Sequence, residues 1–203
     1  MLIQVHPVSP QPRLIQAIVQ VLLRGGIIIY PTDTIYGMGC SIYQSKAIEK
    51  ICRIKQIPSD KARLSFICSD LSDMSRFTKS ISTPVYRILK KLLPGPYTFI
   101  LPASREVPKI LKTKKETIGL RIPDNPIANA ITKELGHPIL STSLPGEMVE
   151  EYTDPNVIHE KFESQVDLVI DGGIGKMIPS TVISFMEDEP EVLREGAGKI
   201  VAW

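Results

Sequence analysis

Four groups of polar residues in this chain have the types and spacing to handle anions and hydroxyl-bearing ligands. The first is Pro31-Thr32-Asp33-Thr34-Ile35-Tyr36-Gly37-Met38-Gly39, where three hydroxyls and a carboxylate follow directly on an apolar run. Polar side chains that emerge at the end of a buried strand lie where α/β proteins commonly bind ligands. The same loop also fits a turn capped by its own Thr and Asp side chains, and its glycine spacing is not that of a P-loop, since no Gly-Lys-Ser/Thr follows. The second group, Lys55, Lys61 and Arg63, sits in a Pro-containing loop at the end of a predicted helix. Such cations can clamp a triphosphate, and they equally suit the negative end of a helix dipole. A third group sets Arg121 at one strand end and Ser141-Thr142-Ser143 at another, and a fourth adds Ser180-Thr181 and Arg194. Taken singly, Ser-Thr pairs at strand ends are ordinary turn residues and lone arginines ordinary surface residues.

The elements that must position these groups are readable from periodicity. Leu14, Ile15, Ile18, Val21 and Leu22 recur at helical spacing between Gln11 and Arg24, and Gly25-Gly26 stops that helix. The β-branched run Ile27-Ile28-Ile29-Tyr30, between Gly and Pro, predicts a buried strand that leads into the first polar loop. Further helices are predicted over Ser45 to Ile54, Thr83 to Leu93, Asn125 to Leu135 and Asp154 to Glu163. Strands are predicted in LSFIC, YTFILP, TIGLRIP, PILSTS, VDLVIDGG and STVISF. Because strands alternate with helices but also occur in adjacent pairs, the sheet should be twisted and mixed rather than wholly parallel. No linker divides the chain, so one α/β domain over 1–203 is expected.

Composition narrows the classes. With 43% hydrophobic and 23% charged residues in 203, the balance is that of a globular protein with a substantial core. No apolar run approaches the roughly 20 residues that cross a bilayer, and the N-terminus lacks the order of a secretion signal, so a cytoplasmic protein with no membrane partner is expected. Cys40, Cys52 and Cys68 are an odd number at wide spacing and His6, His137 and His159 are scattered, which favours buried thiols and structural histidines over a metal site. The net charge of +2 conceals a split. Residues 1–146 carry 20 Lys+Arg against 9 Asp+Glu, and 147–195 carry 3 against 13. A basic body suits phosphates or nucleic acid, although a solvated charged face accounts for some of it.

In order along the chain, PTDTIYGMGC, KQIPSDK, PGPYTFILPA, TIGLRIPDNPIA, PILSTS, PSTVI and LREG resemble the YrdC-like threonylcarbamoyl-adenylate synthase family. The absence of STSAN, with ICRIKQIP and PYTFILP present, makes the chain more similar to the YciO branch. The resemblance implies a ligand groove on a twisted α/β sheet and a reaction of L-threonine, bicarbonate and ATP that gives threonylcarbamoyl-AMP and pyrophosphate for tRNA modification. It implies a threonine pocket at Thr32, Thr34, Tyr36 and Arg121, with Arg121 pairing the carboxylate. It implies nucleotide contacts from Lys55, Lys61, Ser141, Ser143, Ser180 and Arg194, with Lys55, Arg121 and Ser143 at the reacting centre and Mg²⁺ on the phosphates. Such a site must supply fixed positive charge and hydroxyl donors and needs no covalent nucleophile.

Two positions depart from the family pattern. Its Lys-x-Arg reads Lys55-Gln56-Ile57 here, and its Ser-x-Asn reads Ser143-Leu144-Pro145. A lost charge-assisted contact is worth about 1.5–3 kcal/mol, and a lost transition-state donor about 10²–10³-fold in rate. Weakened turnover is therefore expected. The alternatives are a tRNA- or double-stranded-RNA-binding protein, for which the 6% aromatic content argues against base stacking, or a nucleotide-binding regulator without chemistry.

Overall fold

In a computed structural model that describes residues 1–57, 64–111, 116–146, 152–186 and 189–200, ten strands form one sheet. They are β1 (Leu2–Gln4), β2 (Ile28–Tyr30), β3 (Gly37–Ser41), β4 (Ser65–Ile67), β5 (Tyr97–Pro102), β6 (Thr117–Arg121), β7 (Ile139–Ser143), β8 (Leu168–Asp171), β9 (Thr181–Ser184) and β10 (Glu191–Arg194). Their order across the sheet is β1-β8-β2-β3-β7-β4-β6-β5-β9-β10. The sheet is mixed: β4 runs parallel to β6 and antiparallel to β7, and β5 runs antiparallel to β6 and parallel to β9.

Helices α1 (Pro12–Leu23), α2 (Ser45–Ile54), α3 (Leu71–Arg76), α4 (Thr83–Leu92), α5 (Pro126–Leu135) and α6 (Pro155–Phe162) cover the sheet. Their ends follow local chemistry. The Asn125 side chain accepts from the N–H groups of Ile127 and Ala128 at 3.0 Å and so caps α5, and Asp154 caps α6 by accepting from Asn156 N–H at 2.8 Å. α1 and α5 bury Ile15, Ile18, Val19 and Leu22 with Ile127, Ala128 and Ile131 against Ile28, Ile67, Ile139 and Ile170. On the opposite face, α2, α3, α4 and α6 close a larger core over Met38, Cys40, Phe66, Phe99, Leu120, Leu140 and Ile183.

Four elements differ from the sequence expectation, among them β10, which pairs antiparallel with β9 across a register shift. β1 is three residues long and exists through its parallel pairing with β8, a partner more than 160 residues away. β3 runs through Gly37 and Gly39, where the sequence predicts a polar loop. The six-residue α3 buries only Met74 along its length, too little for an apolar stripe to reveal it. The three cysteines are buried free thiols.

Candidate functional site

Residues opposite one another in a ladder share a face of the sheet. Gly39 of β3 lies opposite Ser141 of β7, Ser141 opposite Ser65 of β4, and Ser65 opposite Gly119 of β6. Four adjacent strands thus present small side chains on one face. Tyr30, at the end of β2, fills part of that space and donates from its hydroxyl to Ser141 Oγ at 2.6 Å. A Cβ on Gly37 would stand 3.1 Å from Ser141 Oγ and 3.3 Å from Tyr30 Cζ, so glycine permits this crossing. Burial pushes the Tyr30 phenol up to about 12, against the lowering effect of its bond to Ser141.

Around this floor the structure brings together two of the groups expected from sequence. Lys55 closes α2. Gln56 takes a left-handed conformation with φ of 54°, its N–H bonds to Arg53 O at 3.0 Å, and Ile57 N–H bonds to Cys52 O at 3.1 Å, the two bonds of a Schellman turn. That turn directs Lys55 across to β7, where Nζ donates to Ser143 O at 2.8 Å and Ser143 Oγ at 3.2 Å. Partial burial lowers the Lys55 pKa below the usual lysine value. Lys61 and Arg63 lie outside the described residues.

The second group joins the loop after β2 to the end of β6. Arg121 Nη2 donates to Asp33 Oδ1 and to Thr34 Oγ1, the latter at 2.7 Å. Thr34 N–H bonds to Thr32 Oγ1 at 3.0 Å, and Thr32 Oγ1 donates to Ile35 O at 2.7 Å, so the hydroxyls also shape their own turn. Arg121, assigned from sequence to a substrate carboxylate, thus has an internal counter-charge in Asp33, which that assignment did not include. Among the described residues, Arg121 Nε and Asp33 Oδ2 are buried with no hydrogen-bond partner.

The remaining expected residues sit apart from these two groups. The Tyr36 hydroxyl donates to Gly173 O at 2.7 Å and accepts from Gly172 N–H at 3.2 Å, which pins the segment after β8 rather than joining Arg121. Burial moves the Tyr36 phenol up to about 12. Ser180 Oγ lies 2.8 Å from Thr98 Oγ1, and Arg194 donates to Ser180 O from Nε at 3.1 Å and Nη2 at 2.7 Å. This third contact group stands at β5 and β9, beyond β6 in the strand order. Ile57 and Pro145 are both partly buried, and Pro145 O accepts from the Tyr152 hydroxyl, so the turn after Ser143 is tied to the start of α6. Sequence reasoning left out Tyr30, Thr98 and Tyr152. The alternate glycines Gly37 and Gly39 are the one sequence signal from which a close crossing such as that of Tyr30 could have been read.

A family model described as "Telomere recombination", spanning Sua5, YciO and YrdC, matches residues 20–196. The chain belongs to this family. It is 45% identical over 199 residues to the uncharacterized protein YciO of Escherichia coli, covering 97% of this chain and 95% of that one. The structure of E. coli YciO superposes with a TM-score of 0.91 at 44% identity, over 98% of this chain and 97% of that one. A threonylcarbamoyl-AMP synthase of Chromobacterium violaceum is 34% identical over 178 residues, covering 87% of this chain and 91% of that protein. The structure of P. abyssi Sua5 complexed with L-threonine matches with a TM-score of 0.88 at 27% identity, over 97% of this chain and 57% of that one. The mixed-sheet α/β class expected from sequence is therefore the class found. Among the described residues, no helix is long and apolar enough to cross a membrane.

Proposed function

We propose that this chain forms threonylcarbamoyl-AMP from L-threonine, bicarbonate and ATP, releasing pyrophosphate, as a slow cytoplasmic supplier of tRNA modification. The observation that carries the reading is the contact of Lys55 Nζ with Ser143 across 88 residues of sequence. It sets a cation and a hydroxyl two residues along β7 from Ser141 of the small-residue floor. Relatives named threonylcarbamoyl-AMP synthase support the reaction class, and the Sua5 structure that holds L-threonine supports the amino acid.

In this reading Thr32, Thr34 and Arg121 frame the amino acid, Tyr36 holds the segment after β8 in place, and Lys55, Ser141 and Ser143 face the phosphates. Lys61, Ser180 and Arg194 complete the nucleotide contacts. Fixed donors aimed at phosphate oxygens stabilise charge that develops as pyrophosphate leaves. Mg²⁺ would arrive on the triphosphate. Among the described residues, no group of three or more His, Cys, Asp or Glu stands ready to hold it. Ile57 and Pro145 bring no charged or amide donor to the places where the family pattern has Arg and Asn, which makes the reaction slow.

The test is ATP–pyrophosphate exchange with threonine and bicarbonate, each omitted in turn, followed by single-turnover adenylate formation. Exchange that needs all components is expected. The pair Ile57→Arg with Pro145→Asn should raise the single-turnover rate by about tenfold or more, within the worth of one transition-state donor. No exchange under any condition overturns the reading. A second reading, contact with tRNA or double-stranded RNA phosphates, is favoured by the exposed face of α4, where Arg87, Lys90 and Lys91 have no acidic residue on the same helix. Such binding should weaken steeply with salt.

A further inference from the structure

We propose that Asp33 determines specificity, making the Arg121 end of the site selective for a zwitterionic α-amino acid over a ligand that carries only a carboxylate. The inference rests on the amino-acid reading above and adds a residue that reading left unused.

The argument starts from the geometry of the guanidinium. Nη2 carries two hydrogens, and its two acceptors, Asp33 Oδ1 and Thr34 Oγ1, occupy both. Each edge on which arginine can grip a carboxylate with two parallel bonds includes Nη2. A substrate carboxylate must therefore be taken by a single N–H unless Asp33 or Thr34 lets go. The side chains of Arg121 and Asp33 are only 8% and 7% exposed. A buried ion pair is weak evidence for stability, because desolvation offsets the attraction.

What the pair leaves unsatisfied defines that fit. Arg121 Nε offers a donor and Asp33 Oδ2 an acceptor, both buried and, among the described residues, without a partner. A zwitterion carries the complementary set, a carboxylate for the donor and an ammonium for the acceptor. A simple anion meets a guanidinium whose charge Asp33 already offsets, and it gains little. Lys55 differs: among the described residues its Nζ contacts only the neutral oxygens of Ser143, so that end keeps net positive charge for phosphate. The loop that carries Asp33 and Thr34 covers the pair. It is tied from above through Lys176 N–H to Thr34 O at 3.3 Å and through Tyr36 to Gly172 and Gly173.

The experiment is calorimetric binding of L-threonine and of 3-hydroxybutyrate, its counterpart without the amine, to the wild type, Asp33→Asn and Asp33→Glu. The wild type should prefer threonine by at least about tenfold, the worth of one hydrogen bond to a charged group. Asp33→Asn should bring the two affinities close together, mainly by weakening threonine, and Asp33→Glu should restore part of the preference. Equal affinities in the wild type would overturn the proposal whether or not the variants fold. Equal weakening of both ligands by Asp33→Asn would also overturn it, because a merely structural Asp33 predicts that outcome. If the wild type instead prefers another zwitterionic amino acid with the same dependence on Asp33, the threonine reading falls and this one stands. If threonine binds and drives adenylate formation while Asp33→Asn leaves the preference intact, the reverse holds. Failure to bind any amino acid in a full panel would defeat both.

Discussion

Two neighbouring rows across the sheet, one residue apart on every strand, have opposite characters. The row Cys40, Leu140, Phe66, Leu120, Phe99 and Ile183 is fully buried under the larger core. The next row reads Gly39, Ser141, Ser65, Gly119, Ile100 and Ser184. The first row removes apolar area from water. The second keeps side chains short so that Tyr30 and the loop after it can lie against the sheet. Since successive residues face opposite sides, one register fixes both, and a slip of one residue would put serines in the core and phenylalanines in the groove. Stability and site are therefore specified by the same pairings but by different atoms, and mutations should separate them.

The largest separation is expected at Phe66 and Ser65. Phe66→Ala should cost about 3–5 kcal/mol in urea unfolding by opening a cavity under α2 and α3, and Ser65→Ala next to it should stay within about 0.5 kcal/mol. Comparable losses at the two positions would mean that the faces do not divide the work. Next in size, Lys55→Ala should lower single-turnover adenylate formation by about 10²–10³-fold with little change in the unfolding midpoint. A large stability loss with unaltered rate would assign the Lys55–Ser143 contact to the fold instead.

A smaller effect tests whether the groove face is closely packed despite its small residues. Gly39→Ala places a methyl against Leu140 O, Ile139 Cγ2 and Tyr30 and should cost about 1–3 kcal/mol by overpacking. Free tolerance of alanine there would show that Tyr30 does not rest on β3. A separate effect is expected in alkali. Tyr30 and Tyr36 hold their protons to about 12, whereas an unfolded chain loses them near the ordinary tyrosine value of about 10. The unfolded state therefore binds fewer protons across that interval, and stability should fall as pH rises from about 10 to 12. Tyr30→Phe should flatten part of that decline in urea midpoints measured against pH, and an unchanged slope would contradict the burial of the phenol.

Much of this molecule was legible beforehand where a signal is local. α1 and α5 announced themselves through apolar spacing with Pro near the start and Gly at the end. β2 and β6 did so as short apolar runs. Part of the site's residue set was legible: Thr34, Arg121, Lys55 and Ser143 stand out in the sequence, and the structure puts Thr34 against Arg121 and Lys55 against Ser143. The resemblance did not disclose that Asp33 also holds Arg121, because an Asp between two threonines reads as a turn residue until its partner 88 positions away is placed beside it. Tyr30 read as the end of a hydrophobic strand for the same reason, since its hydroxyl partner Ser141 is 111 residues distant.

The amino-acid sequence by itself determined the kind of each long element, the mixed α/β class and the set of polar residues from which a site could be drawn. Those properties depend on neighbours within one turn or one strand, where periodicity, capping residues and glycine act directly. The tertiary structure alone decided which of those polar residues meet. Strand order places β7 between β3 and β4 and puts β6 next to β4, so contacts among Lys55, Ser143, Arg121, Asp33 and Thr34 are set by pairings between segments far apart in the chain. The existence of β1 and β3 was decided there as well. A three-residue strand and a strand with two glycines have too little intrinsic preference to form alone, and a neighbouring strand must supply their hydrogen bonds.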